Sequence, residues 1–511
     1  MSENLWSEED KKVFEKRGVT EEEVTSQVYL FEKGRQIVTL NRPCRIDDGI
    51  IVIPHSERDS IVKVHESAAR KGRMIKFVPA SGAASRMFRD WFNYLQTKDF
   101  DRSDAGRKFM EDLPKYAFYS DLADVISRDG GDIKKLFDTG EYRATLEYIL
   151  GEQGLHYVAL PKALIKFHTY AGSCRAALEE HLVEAALYVA DDRGISRIHF
   201  TISEEHKEDI KSFIETIRKD YEKKYDVTFD ISFSVQHPST DTVAVDMENR
   251  PFRDVTGEIV FRPGGHGALL RNLNAIDSDI IFIKNIDNIV PDRMKEETVF
   301  YKKILGGYLI KLQEEIFAYL HLLANGDVDE SKLKEIICFS EEKLSVTFPS
   351  AFGAFSFEAK RDLLFDRLNR PLRVCGVVRN EGEPGGGPFW VDEGDGMRSL
   401  QIVESSQIDL KSETQRDIWE SATHFNPVDL VCGIRDFRGE IFDLEQFVDR
   451  NTCLIVEKSM EGRNLKALER PGLWNGSMAG WNTVFVEVPI ATFNPVKTIS
   501  DLLRKEHMPE Q

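Results

Sequence analysis

The sequence predicts a doubly wound α/β fold with a mixed, mostly parallel sheet, an N-terminal helical segment and helical insertions. Short apolar runs rich in β-branched residues, at 74–79, 197–203 and 228–236, alternate with longer helical patterns. The run 280–284 is apolar without alternation until Lys284, which is typical of a parallel strand covered on both faces. This alternation of strands and helices indicates a doubly wound sheet.

The same patterns divide the chain into four predicted regions. Residues 1–70 form a helical and β cap, and residues 71–292 form an α/β core with a polar helical insertion over about 99–152. Residues 293–370 form a second helical insertion, since Ile304, Tyr308, Leu312 and Ile316 recur at helical spacing. Residues 371–511 form a further α/β region that completes the core.

Composition narrows the class of protein. With 41% hydrophobic and 30% charged residues, the 511-residue chain resembles an ordinary globular protein, and its formal charge of -19 disfavours a nucleic-acid or anionic-membrane surface. The acidic N-terminus lacks the apolar stretch of a signal peptide, and no run is long enough to span a membrane. We therefore expect a cytoplasmic protein whose six scattered cysteines are reduced, namely Cys44, Cys174, Cys338, Cys375, Cys432 and Cys453.

The first candidate site is the turn Ser-Gly-Ala-Ala-Ser-Arg at 81–86, between a predicted strand and a helix beginning near Met87. Backbone N–H groups in such a turn can bind an anion, and Arg86 can bind phosphate oxygens with two hydrogen bonds. The alternative is an ordinary strand–helix turn in which Ser81 or Ser85 caps the helix.

The second candidate site combines the glycine-rich segment 262–267, which contains His266, with the segment 285–288 that ends the apolar strand. Ligands of open α/β sheets bind outside the carboxyl ends of the strands, and Mg²⁺ prefers one or two carboxylates together with substrate phosphates. Asp287, flanked by Asn285 and Asn288, is therefore a candidate Mg²⁺ ligand. The alternatives are a structural histidine and an Asn/Asp turn that only ends the strand.

Two lysines are further candidates. Lys162 follows Pro161 at the start of an apolar segment, and Lys497 precedes a predicted helix capped by Thr498 or Ser500. The alternatives are a solvated surface lysine and a plain helix start.

The order of these motifs resembles that of the UTP-dependent sugar-1-phosphate uridylyltransferases, the UDP-glucose and UDP-N-acetylhexosamine pyrophosphorylases. The segment 81–86 is similar to that family's GGxGTR loop, although Ser81 and Ala84 stand at glycine positions. The other similar segments are Pro-Lys at 161–162, Phe-Thr-Ile-Ser at 200–203, Phe-Ser-Val-Gln at 233–236, Pro-Gly-Gly-His-Gly at 263–267, Asn-Ile-Asp-Asn at 285–288, Gln-Ile-Val-Glu-Ser-Ser at 401–406, His-Phe-Asn at 424–426 and the segment 493–503. By overall pattern the chain resembles an uncharacterised bacterial branch of that superfamily.

The resemblance implies a nucleotidyltransferase core of the GT-A, Rossmann-like type, with nucleotide binding in 71–292 and the sugar side in 371–511. It implies Mg²⁺ as cofactor and a nucleoside triphosphate and a sugar-1-phosphate as small-molecule partners, without nucleic acid or membrane. On the nucleotide side, the resemblance implies that Ser81, Gly82, Ala83 and Arg86 bind the triphosphate, that Lys162 neutralises phosphate charge, and that Gln236 and Gly265 recognise the base. On the sugar side, it implies that His266 and Asn285 contact the sugar phosphate and that Glu404 and Asn426 contact the sugar. For the reaction itself, it implies that Asp287 binds Mg²⁺ and that Lys497 stabilises the charge at the α-phosphorus.

Three functions follow as hypotheses. The first is transfer of a nucleotide from an NTP, UTP by resemblance, to a sugar-1-phosphate, which needs positioning and cations rather than a protein nucleophile. The second is a non-catalytic nucleotide-sugar binding or regulatory protein on the same fold. The third is a glycosyltransferase, which ranks last because the Asp-Ser-Asp at 277–279 precedes the strand instead of following it.

Overall fold

The computed structural model describes residues 6–34, 36–82, 84–97, 99–382 and 385–509. The chain is a mixed α/β protein with two compact units. Unit 1 comprises residues 1–65, 236–282 and 304–488, and unit 2 comprises residues 66–235, 283–303 and 489–511. Within the described residues, no helix is both long and apolar enough to cross a membrane.

The α-helices are numbered in chain order. They are α1 Glu8–Arg17, α2 Glu21–Lys33, α3 His55–Arg70, α4 Arg89–Gln96, α5 Asp104–Asp112, α6 Tyr119–Arg128, α7 Ile133–Thr139, α8 Tyr142–Leu150, α9 Ala177–Tyr188, α10 Lys207–Tyr225, α11 Leu269–Asn274, α12 Asp292–Asn325, α13 Glu330–Leu344, α14 Phe357–Leu368 and α15 Glu413–Glu420.

The strands are numbered in the same way. They are β1 Leu40–Pro43, β2 Arg45–Ile46, β3 Gly49–Ile51, β4 Met74–Pro79, β5 Lys166–Tyr170, β6 Ser173–Ala176, β7 Ile195–Ile202, β8 Thr228–Val235, β9 Thr242–Val245, β10 Phe261–Arg262, β11 Ile280–Lys284, β12 Leu372–Arg379, β13 Gly387–Gly394, β14 Met397–Val403, β15 His424–Gly433, β16 Leu454–Met460, β17 Arg463–Glu469 and β18 Asn482–Glu487.

In unit 2, strands β4, β7 and β8 lie side by side and parallel. Ile198 of β7 pairs with Lys76 on one side and with Ile231 on the other. Helix α9 is almost wholly buried, including the side chains of its charged and polar residues Glu179, Glu180, His181 and Glu184. The predicted strands at 74–79, 197–203 and 228–236 are therefore confirmed within one or two residues.

The segment 99–152 is helical as predicted, and its break at 129–132 separates α6 from α7. However, this segment was predicted to be polar, and it contains many buried apolar residues. Phe100, Phe109, Leu122, Ile126 and Leu146 are buried in the same apolar cluster as Phe200 of β7. The segment is thus part of the core of unit 2, because each short helix contributes a narrow apolar stripe that a window average does not reveal.

In unit 1 the sheets are mixed or antiparallel. Strands β2, β3, β18 and β12 are parallel to their neighbours, whereas β15 is antiparallel to β12. A second sheet has the order β1-β13-β14 and a third the order β10-β9-β17-β16, with antiparallel pairs throughout. These antiparallel sheets were not part of the predicted mostly parallel arrangement, because β1, β9 and β10 are short and longer strands such as β16 and β17 are partly polar.

Candidate functional site

The candidate site of unit 2 lies at the carboxyl end of β11. All five residues of β11 are buried, and a tight turn follows in which Asn288 N donates to Asn285 O at 3.1 Å. The turn is held against β4 by a hydrogen bond of 3.3 Å from Ile286 N to Pro79 O. Asp287 is thereby fixed at the strand end, with 7% of its surface exposed.

Two lysines reach the same oxygen of Asp287. Lys162 Nζ donates to Asp287 Oδ2 at 3.1 Å and to Val496 O at 3.0 Å. Lys497 Nζ donates to Asp287 Oδ2 at 3.0 Å. The side chain of Lys162 is only 13% exposed, whereas that of Lys497 is 54% exposed. The three residues form a cluster, hereafter the Lys-Asp-Lys cluster, with one buried and one solvent-facing ammonium group.

The position of Lys162 depends on the glycine-containing turn at 81–86. Lys162 N donates to Gly82 O at 3.2 Å, and Ala84 N donates to Leu160 O at 3.3 Å. These two backbone bonds hold the 160–162 segment beside the turn that follows β4. The intervening helices thus return the chain to the strand end from which it departed.

The position of Lys497 depends on a capping arrangement. Asp501 Oδ2 accepts hydrogen bonds from the backbone N–H groups of Lys497 at 2.8 Å and Thr498 at 2.7 Å. Thr498 is the N-cap of the predicted helix, which is a short 3₁₀ helix, Ile499–Leu503. Val496 N donates to Asp287 O at 3.0 Å, so the C-terminal segment is bonded directly to the turn that carries the carboxylate.

The electrostatics of the cluster favour an ionised carboxylate. Burial by itself raises the pKa of Asp287, but the ammonium groups of Lys162 and Lys497 outweigh it and hold that pKa below its usual range. Two cations against one anion leave the cluster with a net positive charge. An anionic ligand with several oxygens would complement that charge.

Two buried polar atoms at the same turn are unsatisfied. Asp287 Oδ1 and Asn288 Nδ2 have no hydrogen-bond partner among the described residues. Asn288 is held in place because its Oδ1 accepts from Asn494 N at 3.0 Å. Buried polar atoms are rarely left without partners, so a fixed acceptor beside a fixed donor indicates that a ligand or ion completes this site.

The donor set fits a Mg²⁺ ion shared with a substrate. The described residues contain no group of three or more His, Cys, Asp or Glu side chains arranged to hold a metal. Mg²⁺ nevertheless binds commonly through one or two carboxylates, with phosphate oxygens and waters as its other ligands. Asp287 Oδ1 is the oxygen that would hold it, while Asn285 is half-buried on the same turn.

The turn at 81–86 presents its polar side outward. Ser81, Gly82 and Arg86 are exposed, and a Cβ built on Gly82 would meet no atom within 4 Å. Ala84 is fully buried in the core cluster, so its methyl group occupies the interior rather than the open side of the turn. Ala83 lies outside the described residues. Helix α4 begins at Arg89 without a side-chain cap, so the alternative in which Ser81 or Ser85 caps this helix is not found.

Behind the turn lies a buried ionic network that the sequence did not reveal. Glu184 of α9 accepts from Lys284 at 2.7 Å and from Lys76 at 2.8 Å, and all three side chains are at most 1% exposed. Burial lowers the pKa of Lys76 to about 7, although Glu184 opposes that shift. His181 Nε2 donates to Ile286 O at 3.2 Å. The helix therefore fixes the backbone immediately before Asp287.

A second buried network anchors the C-terminal segment that carries Lys497. His507 Nδ1 is hydrogen-bonded to His168 Nε2 at 2.9 Å, and His168 Nδ1 is hydrogen-bonded to Glu180 Oε1 at 2.9 Å. Burial lowers the pKa of His507 to about 3 and also lowers that of His168, so both imidazoles are neutral near pH 7. The neutral His168 ring then donates from Nδ1 to Glu180 and accepts at Nε2 from His507 Nδ1, whereas His507 Nε2 has no hydrogen-bond partner among the described residues.

In unit 1, the glycine-rich segment 263–267 owes its composition to packing. A Cβ on Gly264 would lie 2.4 Å from Thr240 O, and a Cβ on Gly267 would lie 2.1 Å from Pro471 O. Gly265 has a φ of +72°, which glycine adopts without strain. His266 is exposed at the tip, with its ring 5.5 Å from that of Trp474.

Of the remaining sequence candidates of unit 1, Gln236 and Asn426 have protein partners for their side chains. Gln236 donates through Nε2 to Asp241 at 3.1 Å. Asn426 is 2% exposed, donates to Gly376 O at 3.0 Å and accepts from Val428 N at 3.0 Å. Glu404 is half-buried, and burial raises the pKa of its carboxyl group. These side chains are thus positioned by the fold, and Glu404 is the most available of the three.

The structure brings Lys162, Asp287 and Lys497 into direct contact and places Gly82 next to Lys162 through the backbone. Asn288 and His181 belong to the same site but were not among the predicted site residues. The Asn-x-Asp-Asn pattern contained a signal for Asn288, since its second asparagine follows the acid directly. No pattern identified His181, because a histidine within an apolar helix is indistinguishable from a core residue.

The fold and this cluster define a mixed α/β protein with a lysine–carboxylate site at the end of a buried strand. The chain belongs to the family described as domain of unknown function DUF4301, whose family model matches residues 7–508. A search of curated proteins finds no match.

Among solved structures, the chain is similar to UDP-glucose pyrophosphorylase of Leishmania major. One mutant of that enzyme has a TM-score of 0.47 and 14% identity, and another mutant, in complex with UDP-glucose, has 0.46 and 13%; each similarity covers 98% of this chain and 79% of that one. UDP-glucose phosphorylase of Trypanosoma brucei has a TM-score of 0.43 and 14% identity, covering 97% and 77%. At this level the likeness carries no argument about ligand or activity.

Proposed function

We propose that the chain is a sugar-1-phosphate nucleotidyltransferase. It would join a sugar-1-phosphate to a nucleoside triphosphate, UTP by the motif resemblance, to give an NDP-sugar and pyrophosphate. The observation that carries the proposal is the Lys-Asp-Lys cluster, whose two ammonium groups and unsatisfied carboxylate oxygen converge at one strand end. Phosphoryl transfer needs positioned cations rather than a protein nucleophile.

In this reaction an oxygen of the sugar-1-phosphate attacks the α-phosphorus, the bond to the bridging α–β oxygen breaks, and pyrophosphate leaves with the electron pair. Lys162 would neutralise phosphate charge from the buried side of the cluster, and Lys497 would do so from the solvent side. Arg86 and the exposed backbone at Ser81 and Gly82 would bind the remaining phosphate oxygens. A Mg²⁺ ion held by Asp287 Oδ1 would supply further charge neutralisation at the phosphates.

Two preorganised features support the proposal. Asp287 holds two like charges close together before any substrate arrives, so little reorganisation is required when phosphates bind. The turn at 81–86 retains its open side despite Ala84, because the Ala84 methyl group is buried in the core. Base recognition by Gln236 and Gly265, and sugar contacts by His266, Asn285, Glu404 and Asn426, remain parts of the proposal carried by the motif resemblance alone.

The proposal is tested by incubating the purified chain with Mg²⁺, each of the common NTPs and a panel of sugar-1-phosphates, and measuring pyrophosphate. We expect turnover with at least one pair, and a loss of about 10²-fold or more in kcat for Lys497→Ala, the typical effect of removing one transition-state donor. Lys505→Ala is the matched control, since Lys505 lies on the same segment with 92% of its side chain exposed.

Absence of pyrophosphate release with every pair, together with unchanged nucleotide binding in Lys497→Ala and Asp287→Ala, would overturn the proposal. Stabilisation by UDP-sugars in a thermal-shift assay without any turnover would instead support the second hypothesis, a non-catalytic nucleotide-sugar binding protein. Transfer of a labelled sugar to an acceptor would support a glycosyltransferase.

A further inference from the structure

A polar cleft of about 720 Å³ lies within unit 1, and no residue of the Lys-Asp-Lys cluster lines it. Its volume falls in the range of small-molecule sites, roughly 300–1,000 Å³. Ser399, Gln401 and Val403, which alternate along β14, line one wall. Phe447, half-buried and in edge contact with Phe442 at 5.6 Å, provides an aromatic surface.

Gln401 presents a fixed acceptor to this cleft. The residue is 8% exposed, and its Nε2 donates to Ala479 O at 2.8 Å and to Ser399 Oγ at 3.0 Å. Both bonds use the nitrogen, so they fix the orientation of the amide. Within the described part of the chain, no donor contacts its Oε1. This oxygen keeps some solvent exposure in the cleft, so a bound hydroxyl group would donate to it in place of water.

Gln407 presents the complementary donor. It is 7% exposed, and its Oε1 accepts from Glu404 N at 2.9 Å and from Asn475 Nδ2 at 3.3 Å. Asn475 is itself fixed by a bond of 3.0 Å to Ile402 O. No acceptor from the described residues contacts Gln407 Nε2. A fixed acceptor and a fixed donor in one cleft suit a hydroxyl group, which both donates and accepts.

The charges around the cleft limit what it can bind. Four carboxylates line it, those of Asp366, Asp392, Glu393 and Asp449, together with the guanidinium of Arg370. Asp392 and Glu393 also pair with Arg398 at 3.6 Å and with Arg367 at 3.8 Å, so the carboxylates outnumber the guanidinium groups by one. The guanidinium of Arg370 already donates to Asp366 O at 3.0 Å and to Gly480 O at 3.3 Å. A phosphorylated ligand would be repelled, whereas carboxylates accept hydrogen bonds readily from neutral hydroxyl groups.

We propose that this cleft binds an unphosphorylated carbohydrate, a mono- or disaccharide whose hydroxyl groups bond Gln401 Oε1, Gln407 Nε2 and the carboxylates, and whose apolar face packs on Phe447. Amides, carboxylates and one aromatic ring match the alternating polar and apolar surface of a sugar. The inference stands independently of the proposed nucleotide transfer, because it uses none of the residues of the Lys-Asp-Lys cluster.

The test is saturation-transfer-difference NMR on the purified full chain with D-glucose, N-acetyl-D-glucosamine and maltose. We expect saturable binding of at least one sugar, no displacement by inorganic phosphate, and at least tenfold weaker binding in Gln401→Met. Gln153→Met is the matched control at an exposed position of unit 2 and should bind as the unaltered chain does. Lys497→Ala should also retain sugar binding while losing nucleotide transfer.

Ser399→Trp provides a second variant if Gln401→Met does not fold, since Ser399 is half-buried at the wall and a large ring there fills the cleft. No saturable binding of any of the three sugars would overturn the proposal. Equal binding in the unaltered chain, Gln401→Met and Ser399→Trp would overturn it as well, because the sugar would then bind elsewhere.

Discussion

Lys162 and Lys497 donate to one and the same oxygen atom, Asp287 Oδ2, at 3.1 and 3.0 Å. Two ammonium groups so close together repel each other unless an anion lies between them. Asp287 supplies that anion from the end of β11, and its second oxygen is buried without a hydrogen-bond partner among the described residues. The carboxylate therefore has two functions, to hold the cations together and to offer an acceptor to whatever completes the site.

The two lysines are expected to differ in their contribution to stability. Lys162→Met removes a side chain that is 13% exposed and leaves Asp287 and Val496 O short of a buried donor, so a loss on the order of 3 kcal/mol in the free energy of unfolding is expected. Lys497→Met removes a half-exposed partner, and about 0–1 kcal/mol is expected. Urea unfolding of both variants beside Lys505→Met measures the difference. Equal losses would show that burial does not distinguish the lysines.

Ionised Asp287 should stabilise the folded protein, and this contribution to the free energy of unfolding should be lost at low pH. Its pKa in the folded protein is lowered, so its contribution to stability is fully present above the unfolded value of about 3.9 and is lost as the pH falls through the folded value. The difference in unfolding free energy between the unaltered chain and Asp287→Asn should thus be constant above about pH 5 and shrink below about pH 4. Asp230→Asn, at an exposed position of β8, should show no such change. A constant difference down to pH 3 contradicts the assignment.

The methyl group of Ala84, in the turn at 81–86, is expected to stabilise the fold and not to affect activity. Ala84→Gly removes a buried methyl group and adds backbone freedom, so a loss of about 1–2 kcal/mol is expected without a gain in pyrophosphate release. Ser81→Gly, at an exposed position of the same turn, should leave stability within about 0.5 kcal/mol of the unaltered value. Thermal unfolding and the pyrophosphate assay measure both. A tenfold rise in activity for Ala84→Gly would mean that its methyl group obstructs the phosphates.

Lys76 should cause an opposite pH dependence. Its pKa is about 7 in the folded protein against an ordinary value of 10.5, so between these values the unfolded chain holds a proton that the folded chain has released. The stability of the unaltered chain relative to Lys76→Met should therefore rise from about pH 7 to pH 10 and stay constant below that window, as measured by urea unfolding. A difference that stays constant up to pH 10 would show that the folded protein keeps the proton on Lys76.

The strands of unit 2 were predictable because their apolar runs are short and bounded by turn residues. Two residues of the candidate site could be predicted from motifs. Asp287 ends the most continuous apolar run, and Lys497 precedes a capped turn. The antiparallel sheets of unit 1 were not predictable, because strands such as β16 and β17 mix apolar and charged residues without a clear alternation. The network of Glu184 with Lys76 and Lys284 was not predictable either, since charged residues within apolar elements indicate exposure until a partner is placed beside them.

The sequence alone determined the alternation of strands and helices, the residues that form the turns and the residues that end each strand. These features depend on neighbours along the chain. Only the tertiary structure decided which distant residues meet. Lys162 and Asp287 are 125 positions apart, and their contact exists because backbone bonds from Gly82 and Val496 return two separate segments to one strand end. A contact of that separation depends on how the whole core closes, and no local pattern encodes it.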